Sequence, residues 1–356
     1  MTADIKIRYL DPSEYDRWDR FVDESPQGSI YSQSYFLEAF CNVSGGQFRI
    51  LAVFKQDELQ GGIGLHYRKS RYGDMIRLQA PLYYNGFVLK RFDSKYPSIN
   101  SAREAEVIRM LLDELENGTY ASAELSSRFT FDDPRSLLWR GWQVWPRYTY
   151  VVSIQDVNRQ WEKVEQNLRR LISRCEKEGM TLEPSNDADA FYSMHESTYR
   201  RKGVRPYINR EQFLRLYDAL SGRNACQLYF ATTATGTRTA GQIVLMSKHP
   251  VTHTWMAGSD PEFLRSGASA FLRWKAFEDL HQRGYEYNDL TDAMNETVAK
   301  FKGQFGGDLR SSFVFYKTFS SKLRFHNRIG SLLTRSVHVV RRLLRLRSHP
   351  VSNSPE

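Results

Sequence analysis

The chain has 356 residues, 41% hydrophobic and 13% aromatic, which suits two folded units of roughly 150 residues better than one. Its three cysteines (Cys41, Cys175 and Cys226) are scattered and lack CxxC spacing. That excludes a disulfide framework or zinc knot and makes a reducing compartment the expectation. The net charge of +9 belongs to the tail: ten of the 50 basic residues and one of the 41 acidic ones lie from Leu309 onward, so residues 1–308 balance at 40 of each.

In chain order, Met1–Asp4 is acidic and unlike a signal peptide, and Ile5–Tyr9 alternates as a strand does. Residues 9–39 predict opening helices. Ile50–Leu65 reads as strand, polar turn and strand, followed by a strand over Met75–Leu78. A helix is expected over Ala102–Asn117 and a strand over Tyr120–Leu125. A link through Trp142, Trp145 and Pro146 leads to a strand at Tyr148–Ile154.

The second half opens with helical periodicity over Gln166–Lys177, Ala188–Arg201 and Arg210–Leu220, with Asn209 as N-cap of the third. Gln227–Met246 then repeats the earlier meander about 180 residues on, followed by a strand at His253–Ala257. A helix over Gly267–Gln282 ends at Gly284. A last strand is expected at Ser312–Thr318. From Arg328 to Arg347, leucines, isoleucine and valines share one helical face and five arginines the other, predicting a basic amphipathic helix. No apolar run approaches the ~20 residues needed to span a bilayer, so the expected location is cytoplasmic, peripheral at the inner membrane face through residues 322–347. The alternative is that the tail helix docks on the protein.

The densest chemistry lies in Asn288-Asp289-Leu290-Thr291-Asp292 and Lys300-Phe301-Lys302-Gly303-Gln304-Phe305-Gly306-Gly307, read as an acidic strand end followed by a Gly-rich, Lys-bearing turn. Carboxylates, a hydroxyl and lysines where a strand runs out suit proton transfer and stabilisation of a negative charge. This pair of motifs resembles the closing motif of the Fem-type aminoacyltransferases and their relatives built from two tandem GNAT folds. Ser29–Tyr35, Pro81–Phe87, Pro146–Tyr150 and Leu168–Arg174 resemble other elements of that family, in the same order.

The resemblance implies two tandem GNAT-like domains of α/β (α+β) class. Each would be a mixed, mostly antiparallel, splayed sheet with flanking helices. The expected division is 1–150 and 151–320, then a basic helix and tail over 321–356. It implies transfer of an acyl or aminoacyl group to an amine. The leading expectation is an N-acyltransferase using acyl-CoA (acetyl-CoA) as co-substrate, with no permanently bound cofactor and no metal. Its acceptor would be an amine-bearing envelope precursor, a nucleotide- or lipid-linked sugar or peptide. A tRNA-dependent aminoacyltransferase is the alternative, against which the neutral body argues. A non-catalytic GNAT-like binding protein is the third.

Under the resemblance, Lys302 stabilises an oxyanion or phosphate. Asp289 and Asp292 are candidate bases, and His253 is a central-strand candidate. Arg265, Ser266, Gly267, Ala268 and Ser269 stand where a helix N-terminus would take the donor's pyrophosphate. Against the Gln/Arg-x-x-Gly-x-Gly/Ala pattern, Ala268 departs and Ala270 fits. Arg170 and Arg174 on a basic helix, with Tyr31, Gln33, Tyr84, Asn85 and Lys300, complete the candidate substrate contacts.

Overall fold

The computed structural model describes residues 5–328. The helix expected over 328–347 therefore lies almost wholly outside the described residues; residues 321–328 are helical.

The first half comprises β1 (Ile5–Tyr9), α1 (Tyr15–Glu24), α2 (Ser34–Ser44), β2 (Gln47–Lys55), β3 (Glu58–Arg68), β4 (Asp74–Ile76), β5 (Phe87–Leu89), α3 (Pro97–Asn117), β6 (Tyr120–Ser126) and α4 (Arg135–Trp139). The second runs β7 (Gln143–Ser153), α5 (Val157–Lys163), α6 (Gln166–Lys177), β8 (Thr181–Ser185), α7 (Ala188–Arg201), α8 (Arg210–Ser221), β9 (Cys226–Thr232), β10 (Arg238–Leu245) and β11 (Val251–Ser259). It closes with α9 (Ala268–Gln282), β12 (Tyr287–Asp289), α10 (Glu296–Gly303) and β13 (Asp308–Thr318).

One mixed sheet runs β1-β2-β3-β4-β6-β13-β7-β12-β11-β10-β9-β8, with β5 on β3. Among the described residues only two strand pairs are parallel, β4 with β6 and β11 with β12. Each follows an antiparallel meander, β2-β3-β4 and β9-β10-β11, so the repeat read from the sequence is a repeat of topology. The two units exchange their last strands. β7, next in the chain after the first unit, extends the second by pairing with β12, and β13 returns to pair with β6. β7 and β13 also pair with each other over nine residues.

Two details of this seam follow from residue chemistry. Pro146 was expected to mark a link, yet it sits inside β7 opposite Phe313. The Phe313 N–H and carbonyl are both taken by Ser127 on the other side (3.0 and 2.9 Å), so the missing Pro146 N–H costs no ladder bond. The second departure is at Lys300–Gly303, expected as a turn. These residues form the last turn of α10, which Asn295 starts by accepting the Val298 N–H.

Helices cover both faces of the second unit. A cluster containing Phe213, Leu216, Phe230 and Ile243 also takes in Phe36, Phe40 and Tyr84 from the first unit, so one core spans the two. On the opposite face α6 and α9 bury Leu168, Ile172, Phe271 and Phe277.

Candidate active site

β11 and β12 pair only from Val251–Tyr287 to His253–Asp289 and then separate. A cavity of about 820 Å³ opens at the fork. Its walls are the far end of β11 (Thr254–Ser259), the turn after β12 (Leu290–Asp292), α7 with the loop after it (His195, Tyr199, Lys202 and Tyr207), Arg273 of α9, and Phe301 and Lys302 of α10. The register of β11 against β10 slips between Ile243 and Val244, leaving Trp255 as a bulge at the mouth of the fork.

The turn after β12 is strained. Thr291 and Asp292 have φ of 46° and 35°, a left-handed region costly for non-glycine residues and above all for a β-branched one. Several bonds hold it there. The Thr291 N–H donates to Asp289 Oδ1 (2.8 Å) and its hydroxyl to the Thr254 carbonyl (2.7 Å). Leu290 and Ala293 donate to the carbonyls of Tyr150 and Tyr148 on β7 (2.9 and 2.7 Å). Lys302 Nζ donates to the Thr291 carbonyl and to that of Asp292 (2.7 Å).

Asp289 and His253 lie beneath this turn, fully buried, and do not line the cavity. Asp289 accepts from Tyr84 (2.8 Å), Thr149 (2.5 Å) and the Thr291 N–H, with His253 Nδ1 at 3.3 Å from Oδ2. Burial by itself would raise its pKa; these donors outweigh burial and keep the carboxylate ionised. Burial holds His253 neutral, its pKa lowered despite the carboxylate beside it. Asn288 clamps the fork's base, donating to Thr252 (2.8 Å) and accepting from Thr254 (2.9 Å).

Asp292 and Lys302 do line the cavity. Asp292 is half-exposed, with Arg147 3.7 Å from its carboxylate. Lys302 is only 9% exposed. Burial, and then the neighbouring Arg273 charge, push its pKa down to about 7. Lys300 is not its equivalent. Two residues apart on a helix means opposite faces, and Lys300 points to solvent outside the cavity.

Other expected residues are distributed elsewhere. Tyr31, Gln33, Tyr84 and Asn85 are buried and none lines the cavity. Tyr84 supports Asp289. Asn85 bridges the Glu124 carbonyl and Ser126 N–H of β6 (3.0 and 2.7 Å), and Gln33 donates to Asp23 (2.7 Å). Tyr31 packs edge-on against His253, ring centroids 5.2 Å apart. Arg170 and Arg174 flank a separate groove on α6, with Arg169, Ser173 and Lys177.

Of Arg265–Ser269 only Ser269 reaches the cavity, where its hydroxyl meets that of Ser259 at 2.8 Å. Gly267 caps α9 at φ 93°, with Leu171 so near that an added Cβ would lie 3.1 Å from it. Behind the loop, Arg174 donates to the Ser266 carbonyl (2.6 Å). The Ala268 N–H goes to Ser266 Oγ (3.1 Å), and those of Ala270 and Phe271 to the Gly267 carbonyl. A diphosphate at this terminus would have to displace the Ser266 hydroxyl.

The sequence reading missed the α7 wall and Arg273. His195 pairs its Nδ1 with the Ala257 carbonyl at 2.9 Å, fixing the free edge of β11. α7 comes this close because residue 258 is glycine; a Cβ there would stand 2.7 Å from the His195 nitrogen. The available signal was His195 and Tyr199 at i,i+4 on a helix otherwise read only for its apolar face.

Residues 162–302 match the family model described as an acetyltransferase (GNAT) domain. Among curated protein sequences none is similar enough to match the chain. The crystal structure of FemX superposes with a TM-score of 0.71 at 15% identity, covering 89% of this chain and 98% of that one. A conserved protein of unknown function from Bacteroides thetaiotaomicron gives 0.55 at 12% identity, covering 88% and 100%. L-PGS from Bacillus licheniformis gives 0.50 at 12%, covering 87% and 93%. Over residues 162–302 the chain therefore carries a transferase domain of the GNAT type. In architecture it is FemX-like, two GNAT folds sharing one sheet.

Proposed function

We propose that the protein is an N-acyltransferase that moves an acyl group from an acyl-CoA-type donor to an amine of a cell-envelope precursor. The observation that carries this reading is Lys302: a buried amine, its pKa lowered to about 7, in the cavity where the sheet forks. When neutral, it spends its two N–H bonds on the Thr291 and Asp292 carbonyls and keeps a lone pair. A base with a pKa near the working pH is the effective one, worth about 10²–10⁴-fold.

The acceptor amine, with a pKa near ~8, costs roughly 1 kcal/mol to present neutral at pH 7, whereas a lysine acceptor costs over ~4. The amine nitrogen attacks the thioester carbon, Lys302 takes the proton from nitrogen, and the C–S bond breaks to release the thiolate. The new ammonium stands beside the transient oxyanion and stabilises it. Asp292 is a second acceptor at the same wall. Asp289 acts as a positioning residue through the Thr291 N–H.

A tRNA-dependent aminoacyl transfer is the second reading. The Ser266 hydroxyl already occupying Ala268 N–H supports it, as does the basic α6 groove. A thermal-shift series separates the two. Saturating acetyl-CoA or a longer acyl-CoA raises the unfolding midpoint under the first, since 100-fold excess over Kd stabilises by about 2.7 kcal/mol. No shift with any thioester, together with steeply salt-dependent binding of charged tRNA, favours the second. The precursor would be met in the cytoplasm at the inner membrane face, with residues 322–347 on anionic lipid. Equal recovery of full-length and 1–320 protein with anionic liposomes would overturn that placement.

A further inference from the structure

Arg273 is 6% exposed and lines the cavity, yet no carboxylate meets it among the described residues. Its Nε donates to Gln242 Oε1 at 3.2 Å. Its guanidinium lies over the rings of Phe301 and Phe305, 5.5 and 5.7 Å from their centroids. Nη1 has no partner, and neither does Gln242 Nε2. The neighbouring cation in the same wall is Lys302, whose Nζ bonds only carbonyl oxygens. The carboxylate at this wall, Asp292, has Arg147 3.7 Å away, and no ion pair among the described residues joins it to Arg273. A buried guanidinium without a carboxylate costs stability unless something fills the place beside it.

We propose that Arg273, held in place by Gln242, is an oxyanion subsite that takes a carboxylate or phosphate group of the substrate bound in the cavity. Gln242 fixes the guanidinium through Nε, and the two aromatic rings hold its plane. The guanidinium, which lines the cavity, is therefore held for binding without loss of rotamer freedom. The acyl or acceptor group entering the fork thus carries a negative charge, and acetyl is too small and neutral to use the subsite. This specificity rests on the cavity being the transfer site, but anion binding is measurable without any turnover.

The test titrates the full-length protein with inorganic phosphate and, separately, with succinate, at ionic strength held constant with chloride. Wild type, Arg273→Gln and Arg273→Lys are compared by calorimetry and thermal unfolding. One or both anions are expected to bind wild type, about tenfold more weakly to Arg273→Lys because the fork is lost, and undetectably to Arg273→Gln. Phosphate alone points to a phosphorylated portion of the substrate, and succinate alone to a carboxylate. Without anion, Arg273→Gln is expected to unfold at the same temperature as wild type or higher. Absence of binding to wild type, equal binding to Arg273→Gln, or collapse of that variant's fold each overturns the subsite. Failure of acyl-CoA to bind while phosphate binding persists would remove the proposed donor and leave the subsite standing.

Discussion

Asp289 and Lys302 divide the work of one short segment. Asp289 lies under the turn, ionised, and takes three donors with His253 beside it; Lys302 lies above it and takes the turn's two carbonyls. Asp289→Asn removes the charge that Tyr84, Thr149 and the Thr291 N–H are arranged around, and should cost about 3 kcal/mol in urea unfolding. The folded carboxyl is held below its unfolded pKa, so its contribution is present above roughly pH 4 and is lost as pH falls toward the folded value. A stability profile flat from pH 6 to 3 in wild type would contradict this. Residue chemistry was legible here in part. The motif 288–292 identified the acids, but only the fold shows that Asp289 is sealed from the cavity while Asp292 is on it, because three residues of strand and turn reverse the direction of a side chain.

At the scale of elements, the strained turn and α10 are coupled. Substituting Asp292 with glycine relieves a left-handed residue and should raise stability by about 1 kcal/mol while lowering transfer activity through loss of the carboxylate. Lower stability of Asp292→Gly in chemical denaturation would mean the strain is not there. The meanders and the long helices were readable because their patterns are strong: β2-β3 and β9-β10 are apolar runs joined by short polar turns, Gln56-Asp57 in the first and a turn through Gly236 in the second, and the helices α6 to α9 show helical periodicity. α10 was not. Eight residues ending in Lys-Gly carry a glycine signal that reads as a turn, and the Asn295 cap was the feature that could have corrected it. β7 was shortened for a similar reason, since proline reads as a break unless the opposite residue spends its hydrogen bonds elsewhere.

Across the whole molecule, β13 is inserted between β6 and β7, and one apolar cluster draws from both units. The division near residue 150 inferred from the sequence is therefore proposed as a boundary of duplication rather than of folding. Calorimetry should give a single transition with equal calorimetric and van't Hoff enthalpies. Two resolved transitions would restore independent units. Strand exchange leaves no local mark in the sequence, because it depends on which of two equivalent edges β7 and β13 reach.

The central claim is that Lys302, facing Arg273, Asp292, Asp289 and Lys202, accepts the amine proton at the fork. The most direct measurement is the pH dependence of kcat/KM for transfer from an accepted acyl donor to a low-pKa amine, in wild type and Lys302→Met. The account predicts a wild-type rate that climbs with pH through a midpoint near 7 as Lys302 loses its proton, and a variant slower by about 10²-fold or more with that midpoint gone. A variant that keeps both the rate and the midpoint, with its fold intact, would contradict it.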